Sequence, residues 1–179
     1  MISILINSPM STTIRDWKNE DDVEALTRML HRAYAPLAAA GLRYMATHQP
    51  PDVTLRRLTR GRAFVAENDG KIIGTLTVYP PDPESTVSIY RDPMTYHFGQ
   101  FAVDPGHNGN GIGRTLHQAA IDHAREQSGR YLALDTAAPA SDLIATYQRW
   151  GYRIMERMSF SATNYESVIM RMDLRMERL

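Results

Sequence analysis

The run Val103-Asp104-Pro105-Gly106-His107-Asn108-Gly109-Asn110-Gly111-Ile112-Gly113-Arg114 decides the reading of this 179-residue chain. The pattern from Thr95 to Val103 predicts a strand, Asp104-Pro105-Gly106 stops it, and a helix is expected from about Gly111 to Gln127. Between them stand glycines at 109, 111 and 113, more than a tight turn requires. The first N–H groups of a helix have no partner inside it, and the helix dipole adds positive potential there. Residues without a Cβ let a phosphate come within hydrogen-bond distance of those groups. The segment therefore predicts a main-chain anion site, with Arg114 as a charge-assisted donor. It is not a P-loop, because Gly111 is followed by Ile112-Gly113 rather than by Lys and a hydroxyl residue. It is not a dinucleotide fingerprint either, because the glycines alternate and sit late in the chain.

Outward from that turn, the chain divides into short elements. Upstream, Thr12 to Arg15 reads as a strand. Asp21 and Glu24 form a capping box for a helix that buries Val23, Leu26, Leu30, Ala33, Tyr34 and Leu37, and Pro36 should end or kink it. Pro50-Pro51-Asp52 starts a second short helix that runs through Arg60. The strands 63–67 and 72–78 are joined by Asp69-Gly70, a hairpin signal. Downstream, Gly129 is the expected C-cap, 131–136 a strand, and Ser141 the cap of a helix carrying Leu143, Ile144, Tyr147 and Trp150 on one face. Residues 152–163 and 167–174 close the chain as an antiparallel pair. The predicted fold class is α/β of the mixed α+β kind. One domain over 12–179 follows a flexible tail over 1–11. Its mostly antiparallel mixed sheet has six to seven strands, with about four helices on both faces.

Composition excludes several functions. Lys+Arg and Asp+Glu are both 20, so the formal net charge is zero, which argues against a nucleic-acid partner. The chain has no Cys, so it offers no thiol nucleophile, Cys-based zinc site or iron–sulfur cluster. His117 and His123 are not at metal-ligand helical spacing, and no metal is expected. No apolar run approaches the ~20 residues of a membrane span, and Met1 to Asn7 lacks the basic start of a secretory signal. A cytoplasmic location without membrane association is the expectation. Arg56, Arg57, Arg60 and Arg62 form a basic run that reads as a solvated helix face.

Asn108-Gly109-Asn110-Gly111-Ile112-Gly113 resembles the signature of the GCN5-related N-acetyltransferase (GNAT) superfamily, Gln/Arg-x-x-Gly-x-Gly/Ala at a strand-to-helix junction, with Asn108 where the family carries Gln or Arg. A second match is Leu132-Ala133-Leu134-Asp135-Thr136 followed by Tyr147-Gln148-Arg149-Trp150-Gly151-Tyr152, which looks like the family's strand and Tyr-x-x-x-Gly-Phe/Tyr helix end. The resemblance covers residues 12–174 in element order.

It implies an enzyme that moves acetyl from acetyl-CoA to a primary amine of a small molecule or peptide, by direct transfer in a ternary complex. The implied cofactor-binding residues are Phe101, Ala102, Val103, Asn108, Gly109, Asn110, Gly111, Ile112, Gly113, Arg114, Thr136 and Ser141, the last because Ala140 replaces an Asn that family members often carry. The Val103 N–H is the implied donor to the thioester oxygen. Tyr147 stands where the family keeps the acid for the departing sulfur, and His97 where some members keep the base, with Gln100 and a water chain as rival. Tyr44, Thr47 and His48 fall in the segment that usually walls the acceptor. Family members are often dimers, and the closing strands offer an interface for a homodimer. Two other readings stay open: a GNAT-fold module that binds acyl-CoA without turnover, and an unrelated phosphate-binding α/β domain.

Overall fold

In the computed structural model, which describes residues 12–176, the strands are β1 (Thr13–Asp16), β2 (Arg62–Asn68), β3 (Lys71–Tyr79), β4 (Thr95–Val103), β5 (Tyr131–Ala137), β6 (Arg153–Ser159) and β7 (Glu166–Asp173). The helices are α1 (Val23–Ala39), α2 (Pro51–Thr59), α3 (Ile112–Glu126) and α4 (Ser141–Arg149). The tail expected over 1–11 lies outside the described residues. The strands form one sheet in the order β1-β2-β3-β4-β5-β7-β6, and every neighbouring pair is antiparallel except β4 with β5.

Alternation of side chains sorts the core into two layers. On one face Phe64 and Ala66 of β2 and Phe98 of β4 pack with Leu116, Ala120 and Ala124 of α3, and α4 adds Ile144, Tyr147 and Trp150. On the other face Ala63 and Val65 pack with Leu26, Met29 and Leu30 of α1 and Leu58 of α2. The Asp69-Gly70 turn takes the expected left-handed pair of conformations, φ 49° and 72°.

Four local expectations are corrected. The N-cap of α1 is Asp22, whose Oδ1 accepts from the Ala25 amide at 2.9 Å. Asp21 is held instead by the Arg15 guanidinium (2.8 Å). Pro36 lies inside α1 rather than ending it, close enough to the C-terminus that one missing bond is tolerated. Ser141 is the first residue of α4 and caps nothing; Ala140 precedes it without a side-chain bond. At the end of α3, Ser128 takes the left-handed conformation (φ 61°), not Gly129. Gly129 is required for another reason: a Cβ there would lie 2.7 Å from the Tyr96 ring and 2.8 Å from the Ala124 carbonyl.

The two sheet edges of the site are shaped by one irregularity. Thr77 of β3 pairs with Gly99 and Thr75 with Ala102, so Gln100 and Phe101 together stand against Leu76. Gln100 has φ 48°, a β-bulge that swings the rest of β4. The parallel pairing of β4 with β5 then stops: Thr95, Tyr96 and His97 pair with Tyr131, Leu132 and Ala133, and beyond them the strands part.

The Ser128-Gly129 pair gives a test of opposite sign. Ser128→Gly should stabilise the fold by about 0.5–1 kcal/mol by removing left-handed strain. Gly129→Ala should destabilise it by about 2 kcal/mol, because neither Tyr96 nor the α3 carbonyl can withdraw freely. Urea unfolding of the two variants checks both.

Candidate active site

The turn between β4 and α3 presents a row of unused donors. Gly109 and Gly111 are left-handed (φ 82° and 77°), and a Cβ at either would point into open space. The first bond of α3 runs from the Thr115 amide to Gly111 O (3.0 Å). Among the described residues, the amides of Gly109, Asn110, Gly111, Ile112, Gly113 and Arg114 donate to no protein acceptor. The Ile112 side chain is buried in the core, so its amide alone serves the turn. Asn108 and Arg114 are exposed, and Arg114 has no carboxylate partner among the described residues. A diphosphate fits this cradle: bare amides, a helix N-terminus, left-handed glycines and a free guanidinium all favour an anion.

From the turn, the split between β4 and β5 leads inward. The Asp104 amide bonds Ile73 O of β3 (2.7 Å), so the main chain of Val103, one residue back, faces the split. Ala102 pairs with Thr75 and buries its methyl against α1. Phe101 turns its carbonyl to the Tyr34 hydroxyl (3.0 Å), and its ring lies where a Gly113 Cβ would be 3.5 Å away. Across the split, Thr136 Oγ1 bonds the Tyr44 hydroxyl (2.9 Å), which also accepts from the Ala137 amide (3.0 Å). Tyr34 and Tyr44 meet edge-on at 5.4 Å between ring centroids, so two phenols bridge the parted strands. Tyr165, from the β6–β7 loop, lies 4.9 Å from Tyr44. Asn164 holds that loop down with bonds to the Arg43 amide (2.8 Å) and Gly41 O (2.8 Å).

Tyr147 packs its ring against Phe98, Trp150 and Tyr152 on the α3 side. Burial pushes its phenol well above the ordinary range, so it stays protonated at neutral pH. Ser141 lies exposed at the start of the same helix. His97 sits at the closed end of the split, stacked on Tyr90 (4.0 Å) and tilted against Tyr79 (5.2 Å). Its Nδ1 is buried with no hydrogen-bond partner among the described residues, and burial lowers its pKa to about 4.

Two charged residues escaped the sequence reading as site groups. Asp135 follows Ala133 by two on β5 and opens into the split; Tyr90 donates to its Oδ1 at 3.3 Å. Desolvation raises its pKa, offset in part by that hydrogen bond and by the charge of Arg57, while the residue keeps an exposed face. Its charge in turn helps raise Tyr34, Tyr44, Tyr90, Tyr147 and Tyr165, of which Tyr90 touches it directly. Arg57 is not part of a solvated face: it is half-buried, and its Nη1 donates to Gln49 Oε1 at 2.7 Å. A strand Asp and a helix Arg carry no signal in single-sequence patterning. Of the expected acceptor wall, Tyr44 faces the split, whereas Thr47 and His48 bond each other (2.9 Å). A separate groove of about 680 Å³ lies beside α3, between Arg114, Arg125, Trp150 and Met172; Tyr34, Tyr44 and Tyr147 do not line it.

Comparison with known proteins agrees with this geometry. The family model described as the acetyltransferase (GNAT) family matches residues 23–152. The S-(2-succino)cysteine N-acetyltransferase of Bacillus subtilis is 33% identical over 138 residues, 74% of this chain and 79% of that protein. The S-alkylcysteine N-acetyltransferase of the same organism is 26% identical over 81% of each. Among solved structures, the ribosomal-protein-S18-alanine N-acetyltransferase of Escherichia coli superposes with a TM-score of 0.69, covering 94% of this chain and 97% of that one at 18% identity. A GNAT family acetyltransferase of Elizabethkingia anophelis with acetyl-CoA bound gives a TM-score of 0.63, covering 90% and 97% at 19% identity.

His97 links the site to acid stability. In the unfolded chain it takes up a proton near its ordinary 6.5, in the native protein only near 4. Its contribution is therefore complete above 6.5 and is lost as pH falls toward 4. His97→Gln should flatten the pH dependence of unfolding free energy across that window, measured by denaturant titration at several pH values.

Proposed function

The chain belongs to the acetyltransferase (GNAT) family and is an acetyl-CoA-dependent N-acetyltransferase, and on that premise we propose that its acceptor is the α-amine of an S-substituted cysteine or a similar amino acid. The observation that carries the transfer reading is the set of six unused amides, Gly109 to Arg114, at the open end of the split between two parallel strands. The acceptor class rests on the relatives acting on S-(2-succino)cysteine and S-alkylcysteine.

In this reading the amides of 109–114 and Arg114 hold the diphosphate, and Asn108 borders it. The main chain of Phe101 to Val103 lines the pantetheine path, opposite Thr136 and Ser141, with the Val103 N–H turned toward the thioester. The acceptor amine, protonated in water with a pKa of about 8, must lose a proton before attack. We assign that proton to Asp135, whose raised pKa and opening to the split suit a base. His97, the base expected from the sequence, has its basicity lowered by burial to about 4. Stacked on Tyr90, it positions the hydroxyl that donates to Asp135. The amine nitrogen bonds the acetyl carbon, the carbon–sulfur bond breaks, and Tyr147 gives its proton to the departing sulfur. The chain has no Cys to form an acyl-enzyme thioester, in keeping with direct transfer. We extend the proposal to one catalytic domain over 12–179, a cytoplasmic site of action and a homodimer through the C-terminal strands.

Thiol release from acetyl-CoA with S-methyl- and S-benzyl-L-cysteine tests the reading. Tyr147→Phe should lower kcat roughly 100-fold. Its CoA affinity by calorimetry should change by less than about threefold, because the phenol acts in the transition state. The acid limb of the kcat/KM profile should follow Asp135, with activity lost as pH falls through its raised pKa. Asp135→Asn should remove that limb; a limb that persists there and disappears in His97→Gln would return the base to His97.

A further inference from the structure

We propose that Arg57 binds the carboxylate of the acceptor amino acid, across the split from Asp135, so that the site recognises a zwitterion; this rests on the transfer reading above. Arg57 differs from its neighbours in the basic run. Arg62 pairs with Asp16 at 2.8 Å and Arg60 approaches Asp82 at 4.0 Å. Arg57 is half-buried and has no carboxylate within ion-pair distance among the described residues. A cation taken out of water without a counterion is unfavourable unless something completes it.

Its position is set from below. Arg57 Nη1 donates to Gln49 Oε1, and the buried Gln49 donates from Nε2 to Thr54 Oγ1 (2.7 Å) and to Gln100 Oε1 (2.6 Å). Nη2 then lies over Gly99, 3.1 Å from where a Cβ would be. The Tyr79 ring and hydroxyl border the same spot at 3.4 and 3.9 Å, and that hydroxyl is buried within reach of Arg57 and Thr77. A half-buried guanidinium with no carboxylate on it, a phenol beside it and a residue lacking a side chain together leave a place for a carboxylate.

Register places Asp135 opposite. His97 and Ala133 are partners, and Gly99 and Asp135 each follow by two residues. Two steps along a strand return a side chain to the same face, so Arg57 over Gly99 and the Asp135 carboxylate flank the split at matching depth. They form no ion pair with each other. An α-amino acid carries its ammonium and carboxylate on one carbon, and lies between two such charges with its side chain free to run toward Tyr44 and Tyr165.

The test compares S-methyl-L-cysteine with its carboxamide, which keeps the amine and removes the negative charge. Wild-type enzyme should favour the acid by about 30-fold in kcat/KM. In Arg57→Gln that preference should shrink to within about threefold, and Arg57→Lys should keep part of it, because a point charge replaces the planar fork. Calorimetric binding of N-acetyl-S-methyl-L-cysteine and its amide reads the same preference without turnover. Binding of the acid alone, with no transfer to either acceptor, would support the anchor and overturn the transfer reading. Equal turnover of acid and amide by wild-type enzyme, or equal loss of both in Arg57→Gln, would overturn the anchor and leave the transfer intact. Failure of either acceptor to be turned over or either product to bind would overturn both.

Discussion

The site depends on one backbone distortion, the left-handed Gln100 in the middle of β4. Without it β4 would continue beside β5, and two parallel strands would zip to their ends. A bulky residue holds that conformation at a cost of order 1 kcal/mol and needs its surroundings to enforce it. They do so here through the side chain: Gln100 Oε1 accepts from Gln49, and its Nε2 lies 3.4 Å from Thr54 O. Thr27 of α1 adds a bond to Thr54 Oγ1 at 2.8 Å. The bulge is thus tied to α1, α2 and the loop between them by buried polar groups that satisfy one another.

The same network shapes the chemistry. It opens the strand edge at Val103, carries Arg57 through Gln49, and leaves a gap that Tyr34 and Tyr44 bridge with one hydroxyl on each arm. Desolvation biases both Asp135 and Tyr147 toward their protonated forms. In the proposed reaction that bias keeps a proton on Tyr147 for the departing sulfur, while Asp135 must give up its own before it can serve as base.

Much of this was legible along the chain. The alternating glycines predicted the anion cradle because a left-handed turn before a helix leaves few alternatives, and the Asp69-Gly70 hairpin formed for the same reason. The helix faces were readable from spacing, since Leu26 and Leu30 or Leu116 and Ala120 recur at the helical period. Caps were less readable. Asp21 and Asp22 are chemically equivalent as caps, and Arg15 of the first strand claims one of them once that strand is laid in the sheet. Gly129, expected as the C-cap, leaves the left-handed position to Ser128, because glycine marks both left-handed turns and close approaches, and here Tyr96 demands the second.

Sequence by itself determined the family, the order of elements and the glycine-rich turn before α3, all of which rest on residues close together in the chain. Tertiary structure alone decided the acceptor side. Whether Arg57 lies in solvent or over Gly99, and whether Asp135 is an ordinary strand residue or a partner of Tyr90, depends on groups from separate elements meeting at one place. No local pattern encodes such a meeting, because its partners are far apart in the chain, as Gly41 and Asn164 are, and are brought together only when the sheet closes around its split.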